Sequence, residues 1–160
     1  MFVECRKAIT ESIPGIFKGN THTSRKTLKR NNESRVAAVL FEEDDLEKDG
    51  SKRVYTDETG RHKRRRKYKR KLAFSVVLGE YSIEKVEEVY DSFLRNLPNG
   101  IYINGDYVSI EATNADWLDD EDNIMKAKCA VQIKVVCDGG IYKDTDFAKV
   151  SKIDIVAGKE

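Results

Sequence analysis

The spacing of apolar residues changes several times along the chain, and each spacing predicts an element. Phe2, Cys5, Ile9 and Ser12 recur at helical intervals, which predicts a short helix over residues 2–13, stopped by Pro14 and Gly15. Residues 18–34, KGNTHTSRKTLKRNNES, are polar and turn-rich and read as a loop or extended arm. VAAVLF at 36–41 has the length of a strand, and the acidic EEDDLEKDG that follows, ending at Gly50, reads as a loop. Stretches 18–34 and 42–53 are long for connections in a compact domain, so arms that embrace a neighbour compete there with plain surface loops.

From Ser51 onward a β-rich segment, the turn-forming Asp57–Gly60 and a second long segment predict a hairpin. Tyr68, Leu72, Phe74, Val76 and Leu78 share one parity, so the returning strand begins inside a run of charges. Ser82 is placed to cap a helix over 82–97 whose stripe is Val86, Val89, Phe93 and Leu97, ended by Pro98 and Gly100. Two short apolar runs around Asn104-Gly105 carry the strongest short hairpin signal. An acidic loop follows, and then Met125–Cys137 alternates as a half-buried strand. Asp138-Gly139-Gly140 is expected to turn the chain into a last segment, FAKVSKIDIV, whose end at 152–156 alternates again. The sum is an α+β fold: a single domain over 1–160, a mostly antiparallel sheet with the 82–97 helix packed on it, and arms at 18–34 and 42–70.

Composition narrows the class. At 160 residues the length is that of one ordinary domain, and 36% charged residues describe a globular protein with a heavily charged surface. No apolar run approaches the ~20 residues of a membrane span, and the first residues lack the apolar centre of a signal peptide, so a cytosolic chain is expected. Cys5, Cys129 and Cys137 show no CxxC spacing. Cys129 and Cys137 fall on one predicted strand about 26 Å apart, too far to bridge, and are expected to be small buried apolar groups.

The net charge of +1 hides a division: residues 1–71 carry 20 Lys and Arg against 11 Asp and Glu, and residues 72–160 carry 9 against 17. Nine of the eleven residues from Arg61 to Lys71 are Lys or Arg. Cations packed this densely on neighbouring strands repel unless something neutralises them. Arg64, Arg65, Arg66, Lys67, Lys69 and Arg70 are therefore candidates for a subunit interface or a DNA-lined channel. Asp116, Asp119, Asp120, Glu121 and Asp122 are candidates for the acidic counter-surface of a neighbouring copy. Neutralisation of the two halves within one subunit is the alternative. The same five acids invite a calcium reading, but the loop has neither EF-hand spacing nor its central glycine, and a solvated or interface-facing loop is expected instead. Trp117 reads as a core or interface anchor. The chain has no GxSxG, HExxH, phosphate-binding glycine loop or suitably placed Cys and His. A non-enzymatic protein without metal or cofactor is expected.

The succession of LAFSVVLG, SIEKVEEVYDSFLRNLP, GIYINGDYVSIEATNADW and KAKCAVQIKVVCDGGIYKDTDF, over residues 64–147, resembles the tail terminator proteins of tailed bacteriophages and prophage tail-like particles. Residues 1–60 lie outside the resemblance. It implies a structural virion protein, assembled in the host bacterial cytoplasm, that forms a hexameric ring on the head-proximal end of the tail tube. The ring stops tube polymerisation and provides the joint to the neck and capsid. Its implied partners are further copies of itself, the tail tube protein, the sheath in a contractile particle, the neck and connector proteins, and genomic DNA passing through the lumen, with no membrane. Another neck or tail-completion (head-tail joining) protein is the nearest alternative. A nucleic-acid-binding module using residues 61–71 is a third, although Tyr68 is the only aromatic in that run.

Overall fold

A computed structural model describes residues 1–118, 129–145 and 147. In chain order the elements are α1 (Phe2–Glu11), a single 3₁₀ turn, β1 (Thr21–His22), α2 (Arg25–Leu28), β2 (Val36–Lys48), β3 (Lys52–Asp57), β4 (Gly60–Glu80), α3 (Ile83–Asn96), β5 (Gly100–Ile103), β6 (Asp106–Leu118) and β7 (Cys129–Thr145). The fold is mixed α+β. The seven strands form one sheet in the order β1-β2-β4-β7-β6-β5, with β3 also paired to β4; β1 runs parallel to β2 and every other pairing is antiparallel.

β4 is the spine. Its first half carries the basic run and its second half, from Leu72 to Glu80, is buried without interruption. Leu72, Phe74, Val76 and Leu78 pack with Cys5 and Ile9 of α1 and with Val86, Val89 and Phe93 of α3. Residues of the other parity are buried as well: Val77 joins Val36, Ala38, Leu40 and Ala130 under Leu28 of α2. Alternation alone assigns this strand one buried face, whereas the sheet here is covered on both sides. Ser82 caps α3 by accepting from the Lys85 amide, and the Asn104-Gly105 turn is a tight hairpin whose two residues take φ of 51° and 80°. Arg35 Nε donates to Glu80 Oε1 at 2.8 Å, so the one fully buried carboxylate of the described residues is neutralised where β4 ends.

Four sequence expectations change. The helix predicted over 2–13 ends at Glu11. The polar stretch 18–34 contains β1 and α2. The acidic stretch expected as a loop is strand: β2 continues to Lys48, and its register sets Asp45 opposite Lys71 and Glu47 opposite Lys69. Opposite charges across neighbouring strands offset the poor strand propensity of Asp and Glu. Asp138-Gly139-Gly140 does not turn the chain, since β7 runs through it to Thr145. The glycines serve close approach instead: a Cβ on Gly139 would stand 2.9 Å from Val108 Cγ2, and one on Gly140 would stand 2.7 Å from Arg66 Cδ. Residues 125–128 and the segment after Phe147 lie outside the described residues.

Cys129 and Cys137 are free thiols on the same strand, and the neighbour of Cys137 is Cys5 of α1, with which it shares a hydrogen bond. That bond and burial push the Cys137 thiol up, so it stays protonated. Trp117 is 46% exposed and meets Tyr90 of α3 edge-on, with ring centroids 5.5 Å apart. Among the described residues no helix is long and apolar enough to cross a membrane.

The fully buried Phe93 ring lies where α3 meets the sheet. Phe93→Ala is expected to destabilise the fold by about 3–5 kcal/mol, read as a lowered melting temperature in thermal denaturation. A loss below about 1 kcal/mol would show that this stripe does not hold the helix to the sheet.

Candidate functional site: a charged arm

The β3–β4 hairpin is closed at its tip by Asp57, whose Oδ1 accepts from the Thr59 amide at 2.8 Å and from Thr59 Oγ1 at 2.7 Å. Gly60 leaves the turn at φ 128°, which a Cβ would strain. β7 lies along the other side of β4, with Lys63 opposite Thr145, so the arm is three strands wide.

Along β4 the basic run divides by parity. Arg64 donates through Nε and Nη2 to Asp144 at 2.6 and 2.7 Å, and through Nη1 to Asp106 at 2.8 Å and to the Asn104 carbonyl at 3.0 Å. Arg53 also reaches Asp106. Arg66 Nε donates to Asp49 at 2.5 Å, and Arg70 holds Asp44 with two bonds of 2.9 and 2.6 Å. The two-pronged pairs of Arg64 and Arg70 are the geometry in which arginine differs from lysine. The odd positions are different. Lys69 and Lys71 lie 3.6 and 3.7 Å from Glu47 and Asp138, beyond hydrogen-bond reach. Lys63 sits over the Phe147 ring, 4.4 Å from its centroid. Among the described residues Arg65 and Lys67 make no ion pair.

The register sharpens this division. Lys52 of β3 stands directly opposite Arg65 of β4, and Arg65 directly opposite Lys143 of β7. Three exposed cations therefore occupy one cross-strand row, an arrangement that destabilises the sheet by itself. The next row, Arg53, Arg64 and Asp144, contains its own counter-charge.

Of the six cations singled out from sequence, Arg64, Arg66 and Arg70 are thus tied to carboxylates of the same subunit, while Arg65, Lys67 and Lys69 remain on the exposed side. The acids that neutralise the run are Asp44 and Asp49, which belong to the acidic stretch expected as a loop, and Asp106 and Asp144, neither of which stands out in the sequence. Asp116 lies elsewhere, on β6, and accepts from Asn114 Nδ2 at 3.2 Å. Asp119, Asp120, Glu121 and Asp122 lie outside the described residues. The signal that points to the true counter-charges is the acidic run 42–49 itself. Continued from VAAVLF as strand, it falls opposite the basic run in any hairpin turning at Asp57–Gly60.

These contacts shift the carboxylates as their partners dictate. The Ser51 amide, helped by Arg66, holds Asp49 down to about 2, and the Thr59 hydroxyl and amide hold Asp57 down to about 2. Hydrogen bonds from Arg70 and Arg64 lower Asp44 and Asp144, and Asp144 in turn raises Arg64.

Neither a protein-family model nor a curated protein sequence matches the chain.

A carboxylate with a depressed pKa contributes stability that is complete above its ordinary value near 4 and is lost as pH falls through its folded value. The arm is accordingly expected to loosen as pH falls from about 4 through about 2. The amide proton shifts of Ser51 and Thr59, followed by NMR, should titrate with midpoints near 2. Midpoints near 4 would show that neither carboxylate is engaged.

Proposed function

We propose that this chain is a structural protein that assembles into a closed ring, in the manner of the tail terminators it resembles. On this reading the ring caps the head-proximal end of a phage tail tube, halts its growth and offers the joint to the neck. The observation that carries the reading is a sheet open on both sides. On one side β1 covers β2 only at Ala37 and Ala38, so the edge of Val39–Lys48 and the edge of β3 that face away from β4 have no strand partner among the described residues. On the other side β5 covers β6 only from Asp106 to Ser109, leaving that edge of Glu111–Leu118 without a strand partner among the described residues.

Long unpaired edges are rows of free amides and carbonyls, and proteins that remain monomeric blunt or cover them. Two different open edges on one chain suit a heterologous contact, in which one edge of a copy meets the other edge of the next and rotation closes the ring. A two-fold dimer would use one edge twice and leave the other bare.

Mass photometry of the purified protein is expected to show a discrete oligomer, six copies by the resemblance. Added to growing tail tubes, the protein should stop their elongation at the length present on addition. A strictly monomeric protein at high concentration, with tube protein and without it, would overturn the proposal.

A further inference from the structure

The middle of the sheet carries a trench on the face that α2 covers only at its base. Two adjoining hollows of about 400 and 340 Å³ share Glu43, Ala73 and Lys134 among their linings. The register makes the trench's cross-section explicit. Glu43 of β2, Ala73 of β4, Val136 of β7 and Glu111 of β6 form one row across four strands, so small apolar residues floor it and an exposed carboxylate stands at each wall. Asp45 extends one wall in the neighbouring row, and Asp116 extends the other wall two rows away, beyond the row of Ser75, Lys134 and Asn114. Among the described residues Glu43, Asp45, Glu111 and the lining Lys134 make no ion pair. At the floor Ser75 is 3% exposed, and its Oγ is the only buried side-chain polar atom of the described residues without a hydrogen-bond partner.

Resting on the ring reading above, we infer that this trench receives the Lys52–Arg65–Lys143 row of the next copy, so that each subunit's arm lies in its neighbour's acidic trench.

Three observations converge on that occupant. Strands stand about 4.8 Å apart, which makes the cation row about 10 Å wide and the distance between the carboxylate walls about 14 Å. The row therefore fits between the walls, with Lys52 and Lys143 each beside one of them. Between Glu43 and Glu111 the floor is cut down to Ala73 and Val136, where larger side chains would block long Lys and Arg side chains. Both surfaces are also destabilised alone, one by three adjacent cations and the other by unpaired acids over an unsatisfied hydroxyl, and each supplies what the other lacks. Row and trench sit about eight residues apart along β4, or about 26 Å, so one subunit cannot satisfy its own trench and the contact has to be made between copies, which in a ring is head to tail.

Charge exchange between two variants tests this. Lys52→Glu/Arg65→Glu/Lys143→Glu and Glu43→Lys/Glu111→Lys are each expected to be folded by circular dichroism, and each to associate at least tenfold more weakly than the wild type by mass photometry. Mixed in equal amounts they should recover the wild-type oligomer, because junctions between the two variants join opposite charges. Raising salt from 0.05 to 0.5 M should weaken the wild-type contact and the mixed contact alike. Should the reversals misfold, the neutral triple variant with Gln at 52, 65 and 143 is read instead, with the same tenfold loss expected. Oligomers unaffected in both variants would overturn this contact and leave the ring proposal standing, whereas a monomeric wild type would remove both. If the row variant keeps its oligomer but no longer retards duplex DNA at low salt, the row belongs to a polyanion and the inference is wrong.

Discussion

Everything in this fold hangs on the register between β4 and the strands on either side of it, β2 and β3 on one and β7 on the other. The same 21-residue strand has to enter a two-sided apolar core at one end and carry nine cations at the other, and it can do both only if the strands beside it change character at the same places. β2 does so where VAAVLF gives way to EEDD, opposite the point where LAFSVV gives way to the basic run. A slip of one residue would exchange the side chains of the two differently packed apolar faces and separate Arg70 from Asp44 and Arg66 from Asp49. Hydrophobic burial and charge pairing therefore specify one alignment, and each makes the other's alternatives worse.

The value of those ion pairs lies in that specificity more than in stability. Exposed pairs contribute little individually, and of the arm's acids Asp44 and Asp144 are 32% and 46% exposed. What the pairs remove is repulsion, and they remove it selectively. Three arginines of the run are neutralised by bidentate or short single bonds, while the intervening positions are left to solvent or to a partner. Although a register shift between Arg66 and Tyr68 interrupts the alternation of faces, the unbroken basic sequence still divides into arginines held by carboxylates of the same subunit and intervening positions, Arg65 and Lys67, that make no ion pair among the described residues.

Much of this is legible in the sequence alone. The α3 stripe, the Ser82 cap, the Asn104-Gly105 hairpin and the turn at Asp57–Gly60 follow from spacing and turn chemistry, because their causes are local. What the sequence hides is non-local. Acidic residues are poor strand formers, and nothing within EEDDLEKDG itself says that a basic strand will lie beside it. Asp138-Gly139-Gly140 has the composition of a turn, yet its glycines answer to Val108, Met1 and Arg66, residues distant in sequence. The division of the basic run into paired and unpaired positions likewise depends on which strands flank β4, which composition does not reveal. Charge counted by halves of the chain points to a contact between the halves, whereas Asp44 and Asp49 belong to the basic half itself.

The strand order also sets a sequence of events in folding. The β2–β3–β4 ribbon can zip from the tight turn at Asp57–Gly60, each pair bringing the next within reach, and hairpins of this kind close in microseconds. β7 has no such start. To add to β4 it must bring Cys129 to Glu80 and Thr145 to Lys63, closing a long intervening stretch of chain before any pairing is gained, and such non-local steps are the slow ones. Until β7 arrives, the ribbon shows an apolar edge at Phe74–Leu78 continuous with a cationic one. That charge is a gatekeeper: nascent copies that would otherwise stack edge to edge at their apolar ends are held apart by their own arms.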